Sequence, residues 1–144
     1  MKKKYSLLVL SLILAMFLSG CVVGIIIPAT DEAKVKNVIN EYFLAINDQN
    51  WNKAKSYCIY GSNVYYETYN LEQQINDLIL QYGFVIIYFF VNDISNISIH
   101  DGNYAEAYID ITLDISFGNI SDSSDKVGYI YLEKIGNTWK IYDF

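Results

Sequence analysis

Along residues 105–117, apolar and polar side chains alternate without a break. Ala105, Ala107, Ile109, Ile111, Leu113, Ile115 and Phe117 share one parity, while Glu106, Tyr108, Asp110, Thr112 and Asp114 take the other. Successive side chains point to opposite faces only on a strand, and a helix would spread this pattern around its whole circumference. The segment is therefore a strand with one face on a core and one in water, the arrangement of an antiparallel sheet. The period of two begins after Gly83. Phe84 to Val91 is a run of eight apolar residues rich in aromatic and β-branched types, expected as a buried strand that continues through Ile97 and Ile99.

Parity also sets the registers. A three-residue loop, Asp101-Gly102-Asn103, places Ile99 opposite Ala105 and Ile97 opposite Ala107. A two-residue loop would set Ile97 against Glu106 on the solvent face. At the last hairpin the two-residue turn Gly136-Asn137 puts Leu132 opposite Ile141 inside and Glu133 opposite Lys140 outside. The polar stretch Gly118 to Lys126 reads as a loop joining neighbouring strands.

Before Gly83 the period is helical. Thr30 is placed to cap a helix whose first turn carries Asp31 and Glu32, favourable charges at the positive end of the helix dipole. Val35, Val38, Ile39, Tyr42, Phe43 and Ile46 then form one apolar stripe. Asn47-Asp48-Gln49-Asn50 interrupts it, and a short helix follows with Trp51, Ala54, Tyr57 and Cys58 on one side. The polar segment Gly61 to Thr68 has room for one short strand. Asn70 is expected to cap a third helix with Leu71, Ile75, Leu78, Ile79 and Tyr82 aligned, and Gly83 supplies its left-handed stop. Three helices followed by a four-stranded meander give an α+β domain, a curved antiparallel sheet with helices packed on one face.

In the details of its elements, the chain resembles the nuclear-transport-factor-2-like (cystatin-like) α+β cones. The resemblance lies in the helix end Glu41-Tyr42-Phe43-Leu44-Ala45-Ile46-Asn47, the break Asp48-Gln49-Asn50-Trp51 leading to Lys53-Ala54, and the terminal strand Gly136-Asn137-Thr138-Trp139-Lys140-Ile141. It covers residues 31–144. One departure is the segment between the second and third helices, which is too short for the hairpin often found there. The resemblance implies that an enzymatic member would carry a carboxylate or a His–Asp pair, with tyrosines, inside the cone.

The N-terminus carries a different signal. Lys2, Lys3 and Lys4 precede an apolar run from Leu7 to Leu18 broken by Ser11, and Leu18-Ser19-Gly20-Cys21 closes it. This pattern resembles the lipobox of prokaryotic lipoprotein signal peptides, in which the cysteine is acylated and becomes the new N-terminus. The expected organisation is a signal peptide over 1–20, a lipidated tether over 21–30 and the α+β domain over 31–144, with Cys21 the lipid attachment site. The apolar character persists to Ile27, long enough to cross a bilayer, so an uncleaved anchor is the alternative. Either way the lysines stay in the cytoplasm and the domain faces outward, on the extracytoplasmic side of the cell membrane.

Charge and cysteine usage exclude several classes of function. From Cys21 onward, 124 residues carry seven lysines against sixteen acidic groups, a net charge of −9, and no arginine. A nucleic-acid partner is disfavoured by both charge and compartment. With Cys21 acylated, Cys58 has no disulfide partner and reads as a small buried apolar residue on a helix. The lone His100 beside a turn cannot complete a thiol–histidine site, and one cysteine and one histidine cannot hold zinc. Asp122 and Asp125 lack the alternating ligands and glycine of a calcium loop. Asn96-Ile97-Ser98 and Asn119-Ile120-Ser121 match the glycosylation sequon.

Among the acids, Glu106, Asp110 and Asp114 fall on the solvent face, whereas Asp143 shares the parity of Trp139 and Ile141 and is expected opposite Ile130. It is the weak catalytic candidate, a carboxylate that desolvation could turn into a general base. Tyr42, Trp51, Tyr57 and Trp139 are the candidate pocket residues, apolar bodies with polar tips. These readings point to a lipid-anchored extracytoplasmic module, without cofactor or metal, that binds a protein partner or a small apolar ligand. The alternative is a small isomerase- or dehydratase-like enzyme using Asp143 and tyrosines in the cone.

Overall fold

The computed structural model describes residues 29–144. The lipobox-like segment with Cys21, and nearly all of the expected tether, lie outside the described residues.

Helix α1 spans Asp31–Asn47, and Thr30 caps it by accepting a hydrogen bond from the Ala33 amide at 3.2 Å. Its expected stripe is buried throughout. Helix α2 (Trp51–Ser56) is capped by Asn50, and Tyr57 terminates it, so buried Cys58 lies just past its end. Helix α3 spans Asn63–Tyr82 and is capped by Ser62, which accepts from the Tyr65 amide. It thus replaces the short strand expected within Gly61 to Thr68, and Asn70 lies inside the helix rather than at its cap. Val64, Thr68, Leu71 and Ile75 follow a single helical stripe, but its second member is polar. The Thr68 hydroxyl donates to the Val64 carbonyl at 2.7 Å, which lets that side chain stay buried on an otherwise apolar face. Gly83 ends the helix at φ 86°, a conformation that costs glycine nothing.

The sheet is a four-stranded antiparallel meander in the order β1 (Val85–His100), β2 (Tyr104–Phe117), β3 (Ile120–Ile135), β4 (Thr138–Asp143). Ile99 faces Ala105, Leu132 faces Ile141 and Glu133 faces Lys140, in the registers that parity requires. Three features depart from expectation. First, the apolar run after Gly83 is not a buried strand: Val85 and Ile87 are buried, while Ile86, Tyr88 and Phe90 are 59%, 40% and 47% exposed on the outer face. Second, β1 is bulged twice, once between the Val91–Ile111 and Asp93–Asp110 pairs and again between Ser95–Tyr108 and Ser98–Glu106. Each bulge inserts one residue and reverses parity, so Ile94 is buried between inward-facing Val91 and Ile97.

Third, residues 120–126 form a strand rather than a loop, because Gly118-Asn119 alone makes the turn and Ile120 pairs with Phe117. Polar side chains suffice where pairing is through the backbone and both faces are largely wet. Thr112 donates to Asp125 at 2.8 Å and Ser123 donates to Asp114 at 2.5 Å across the strands.

Each edge of the sheet is engaged over part of its length. Asn47 and Gln49 reach the backbone of β1 at Phe89 and Val85. The amide of Ile59 donates to the Ile141 carbonyl at 2.8 Å, and the Ile141 amide donates to the Tyr57 carbonyl at 2.9 Å. These contacts occupy edge backbone groups at Val85, Phe89 and Ile141 that would otherwise be open to pairing with another chain. Between the layers, Ile39, Ile46, Ile130, Leu132, Trp139 and Ile141 form the centre of the core.

Candidate functional site

A cavity of about 620 Å³ opens between the helices and the inner face of the sheet. This is within the size range of small-molecule sites. Helix α1 supplies Tyr42, Phe43 and Ile46, α3 supplies Glu67, Thr68 and Leu71, and the sheet supplies Phe89, Ile109 and Ile111. Strand β3 adds Lys126, Gly128 and their neighbours, and the terminal Phe144 closes one side.

Gly128 explains why there is room. It pairs with Ile109, which places it on the inward parity shared with Ile130 and Leu132. A Cβ built on Gly128 meets nothing within 4 Å, and its backbone is not in the left-handed region. The chain therefore has no conformational need for glycine here. What glycine provides is the absence of a side chain on the floor of the cavity.

The deep wall is polar but internally satisfied. The Tyr42 hydroxyl lies 2.9 Å from Thr68 Oγ1, and since Thr68 spends its proton on the Val64 carbonyl, Tyr42 is the donor. Burial pushes the Tyr42 phenol well above its ordinary pKa, with the Thr68 contact opposing in part. Cys58 Sγ lies 3.6 Å from the Ala54 carbonyl, and burial pushes its thiol up to about 11. A thiol so placed is a poor nucleophile.

Of the four aromatic residues expected to form a pocket, only Tyr42 lines this cavity. Trp51 is buried in the core outside the lining. Tyr57 sits at the α1–α2 surface, where its hydroxyl donates to Glu41 at 3.3 Å, and Lys53 reaches the same carboxylate at 2.8 Å. The Lys53 ammonium holds the Glu41 carboxyl below its usual range. Trp139 is fully buried, with its indole N–H donating to Asp31 Oδ1 at 3.4 Å. Lys134 donates to Asp31 Oδ2 at 2.9 Å and lies over the Trp139 ring, 5.4 Å from its centroid. The Lys134 ammonium, then Lys34, hold the Asp31 carboxyl down at about 2, against an opposing effect of burial that outweighs the smaller contribution of the indole N–H. This cluster pins the start of α1 to the last hairpin.

Asp143 does not face Ile130. A bulge between the Leu132–Ile141 and Tyr131–Asp143 pairs shifts it opposite Tyr131, and it is not among the residues lining the cavity. His100 is exposed, 3.7 Å from Glu106. Among the described residues, no three His, Cys, Asp or Glu side chains gather as a metal site would require.

Sequence reasoning missed Thr68, Glu67, Lys126, Gly128 and Phe144. One signal for them was available: Gly128 interrupts the inward apolar parity of β3, just where Leu132 and Ile130 predict another large side chain.

No protein-family profile matches the sequence. No curated protein is similar to it in sequence. Solved structures do share its architecture. An NTF2-like protein of unknown function from Prochlorococcus superposes with a TM-score of 0.59 at 6% identity, over 78% of this chain and 88% of that one. A proposed dehydratase from the NTF2-like family of Streptomyces avermitilis gives 0.58 at 13% identity, over 76% and 88%. The β subunit of benzoate 1,2-dioxygenase from Burkholderia mallei gives 0.59 at 11% identity, over 79% and 87%. Helices on one face of a curved antiparallel sheet, and these superpositions, identify the fold of residues 31–144 as nuclear-transport-factor-2-like.

Proposed function

We propose that this chain is a lipid-anchored module on the outer face of the cell membrane, and that its cavity holds a small apolar ligand without chemically transforming it. The observation that carries the reading is Gly128, a strand glycine with no conformational need to be glycine, which keeps the cavity floor open. Phe43, Phe89, Leu71 and Ile111 supply apolar walls, so an apolar body gains by leaving water, at roughly 25 cal/mol per Å² buried. The Tyr42–Thr68 pair on the wall is already satisfied and demands nothing of the ligand. Support for binding over turnover comes from the same lining. Its one side-chain carboxylate, Glu67, is exposed, and neither Asp143 nor His100 is among the lining residues. A positioned acid and base pair is what a proton-transfer site needs. The anchor rests on the lipobox-like segment ending at Cys21.

The test uses the full chain in nanodiscs of phosphatidylglycerol, with empty nanodiscs subtracted. Calorimetric titration with neutral 2-naphthaleneethanol is expected to show saturable binding, and Gly128→Phe is expected to weaken it at least tenfold while near-ultraviolet circular dichroism stays native. Gly128→Leu, a smaller filler, is expected to give an intermediate loss. Binding unchanged in both variants would show that the cavity is not the site. Turnover of an enolisable substrate, abolished by Asp143→Asn, would replace the binding reading with the enzymatic one.

A further inference from the structure

Two side chains lining the cavity carry full charge, and they are opposite in sign: Glu67 on α3 and Lys126 on β3. Both are exposed, so they stand where the cavity meets water. Neither takes part in an ion pair among the described residues, with each other or with anything else. Four of the seven lysines after Cys21 are held by carboxylates (Lys34, Lys53, Lys55 and Lys134), and Lys126 is one of the three that are not. Lys126 pairs with Ile111 across the strands and so shares the inward parity of Gly128 and Ile130. The nearest acid on that same face of β3, Asp122, is four residues away, about 13 Å along a strand.

The other polar side chains of the lining are hydrogen-bonded to each other or pack their rings against outer-face neighbours. The Tyr42 hydroxyl is committed to Thr68. The Tyr129 ring packs edge-on against Tyr108, and the Tyr131 ring lies against Tyr142. The cavity thus offers aromatic and aliphatic walls and, at its mouth, one anionic and one cationic side chain that are in no ion pair among the described residues.

Building on the binding role proposed above, we infer that the ligand is an amino-acid-like zwitterion with one apolar or aromatic arm. The arm enters over Gly128 between Phe43 and Phe89, the ammonium of the head faces Glu67, and its carboxylate faces Lys126. A ligand of one sign would satisfy one of these charges and meet the other as a like charge. A zwitterion complements both, and a neutral ligand uses neither. A single arm also suits a cavity of about 620 Å³ better than the paired chains of a phospholipid.

The experiment compares four naphthyl probes on the full chain in the same phosphatidylglycerol nanodiscs: 3-(2-naphthyl)alanine, 2-naphthaleneacetate, 2-(2-naphthyl)ethylamine and 2-naphthaleneethanol. The zwitterion is expected to bind tightest. Lys126→Met should weaken naphthylalanine and naphthaleneacetate about fivefold, the upper end for an exposed ion pair, and leave the amine no weaker. Glu67→Gln should weaken naphthylalanine and the amine and leave the acetate no weaker. The charge-exchanged pair Glu67→Lys with Lys126→Glu should recover naphthylalanine binding, which a structural role of either residue would not do.

If the alcohol binds as tightly as the zwitterion, or neither single variant separates the probes, the zwitterion inference is overturned. The binding role survives that result as long as Gly128→Phe still weakens alcohol binding at least tenfold. If the alcohol does not bind at all, or Gly128→Phe leaves it unchanged, the binding role itself falls and the inference with it. Dihexanoylphosphatidylethanolamine distinguishes the source of the zwitterion. Binding tighter than naphthylalanine would overturn the amino-acid-like ligand in favour of a lipid headgroup.

Discussion

The Asn47 side chain pairs with both backbone groups of Phe89: its Nδ2 donates to the Phe89 carbonyl at 2.9 Å, and its Oδ1 accepts from the Phe89 amide at 2.7 Å. The last residue of α1 thereby mimics a neighbouring strand at the free edge of β1. It also fixes the height of α1 over the sheet, and with it the spacing of Phe43 and Phe89, whose ring centroids stand 5.4 Å apart beside the cavity.

Replacing Asn47 with alanine would leave a half-buried donor and a half-buried acceptor unpaired. Asn47→Ala is expected to cost about 1–3 kcal/mol in urea denaturation. Lys36→Ala, at an exposed site on the same helix, should stay within about 0.5 kcal/mol. Equal midpoints for the two variants would show that the Asn47–Phe89 pairing is not formed in solution.

The Asp31 cluster predicts an acid-sensitive docking of α1. An unfolded aspartate titrates near 3.9, whereas the folded Asp31 carboxyl is held at about 2 by Lys134 and Lys34. A depressed pKa contributes stability that is fully present above the unfolded value and disappears as pH falls through the folded one. Denaturation midpoints should therefore fall between about pH 4 and pH 2 in the wild type. Asp31→Asn should flatten that part of the profile, and an unchanged slope in the variant would assign the acid sensitivity to other carboxylates.

Register at the last hairpin predicts a contrast between adjacent residues. Trp139 is buried against α1, and Trp139→Ala is expected to cost about 3–5 kcal/mol. Lys140 lies on the outer face opposite Glu133 with its ammonium donating to the Ser56 carbonyl, and Lys140→Ala is expected to cost about 0.5–1.5 kcal/mol. Thermal melts of the two variants that coincide would contradict the register.

The proposed anchor predicts a processing defect. Cys21→Ser should leave a larger precursor that no longer incorporates fatty acid on metabolic labelling, while the wild type does. Equal labelling of both forms would place any lipid elsewhere.

Much of this fold was legible in short-range pattern. Parity from Ala105 to Phe117 determined one face of β2, and with the lengths of the turns at Asp101 and Gly136 it set the two hairpin registers. The stripe from Val35 to Ile46 likewise determined the buried face of α1, since a regular helix or strand repeats every few residues and leaves its period in the chain. The same reasoning placed the start of α3 too late and took residues 120–126 for a loop. There the decisive groups are polar: Thr68 is satisfied by the backbone of its own helix, and Ser121 to Asp125 pair with a strand already in place.

Tertiary structure alone decided the cavity and which residues line it. Tyr42 carries the same local signal as Trp51 and Trp139, yet only Tyr42 lines the space left by Gly128, because that space depends on α1, α3 and β3 meeting across the sheet. The Tyr131–Asp143 pairing depends on a bulge that period and parity do not encode, and it puts Asp143 beside an outward-facing tyrosine. Sequence by itself determined which faces are apolar. Where two apolar faces fail to fill the volume between them is a property of their packing, since the gap is defined by residues far apart in the chain.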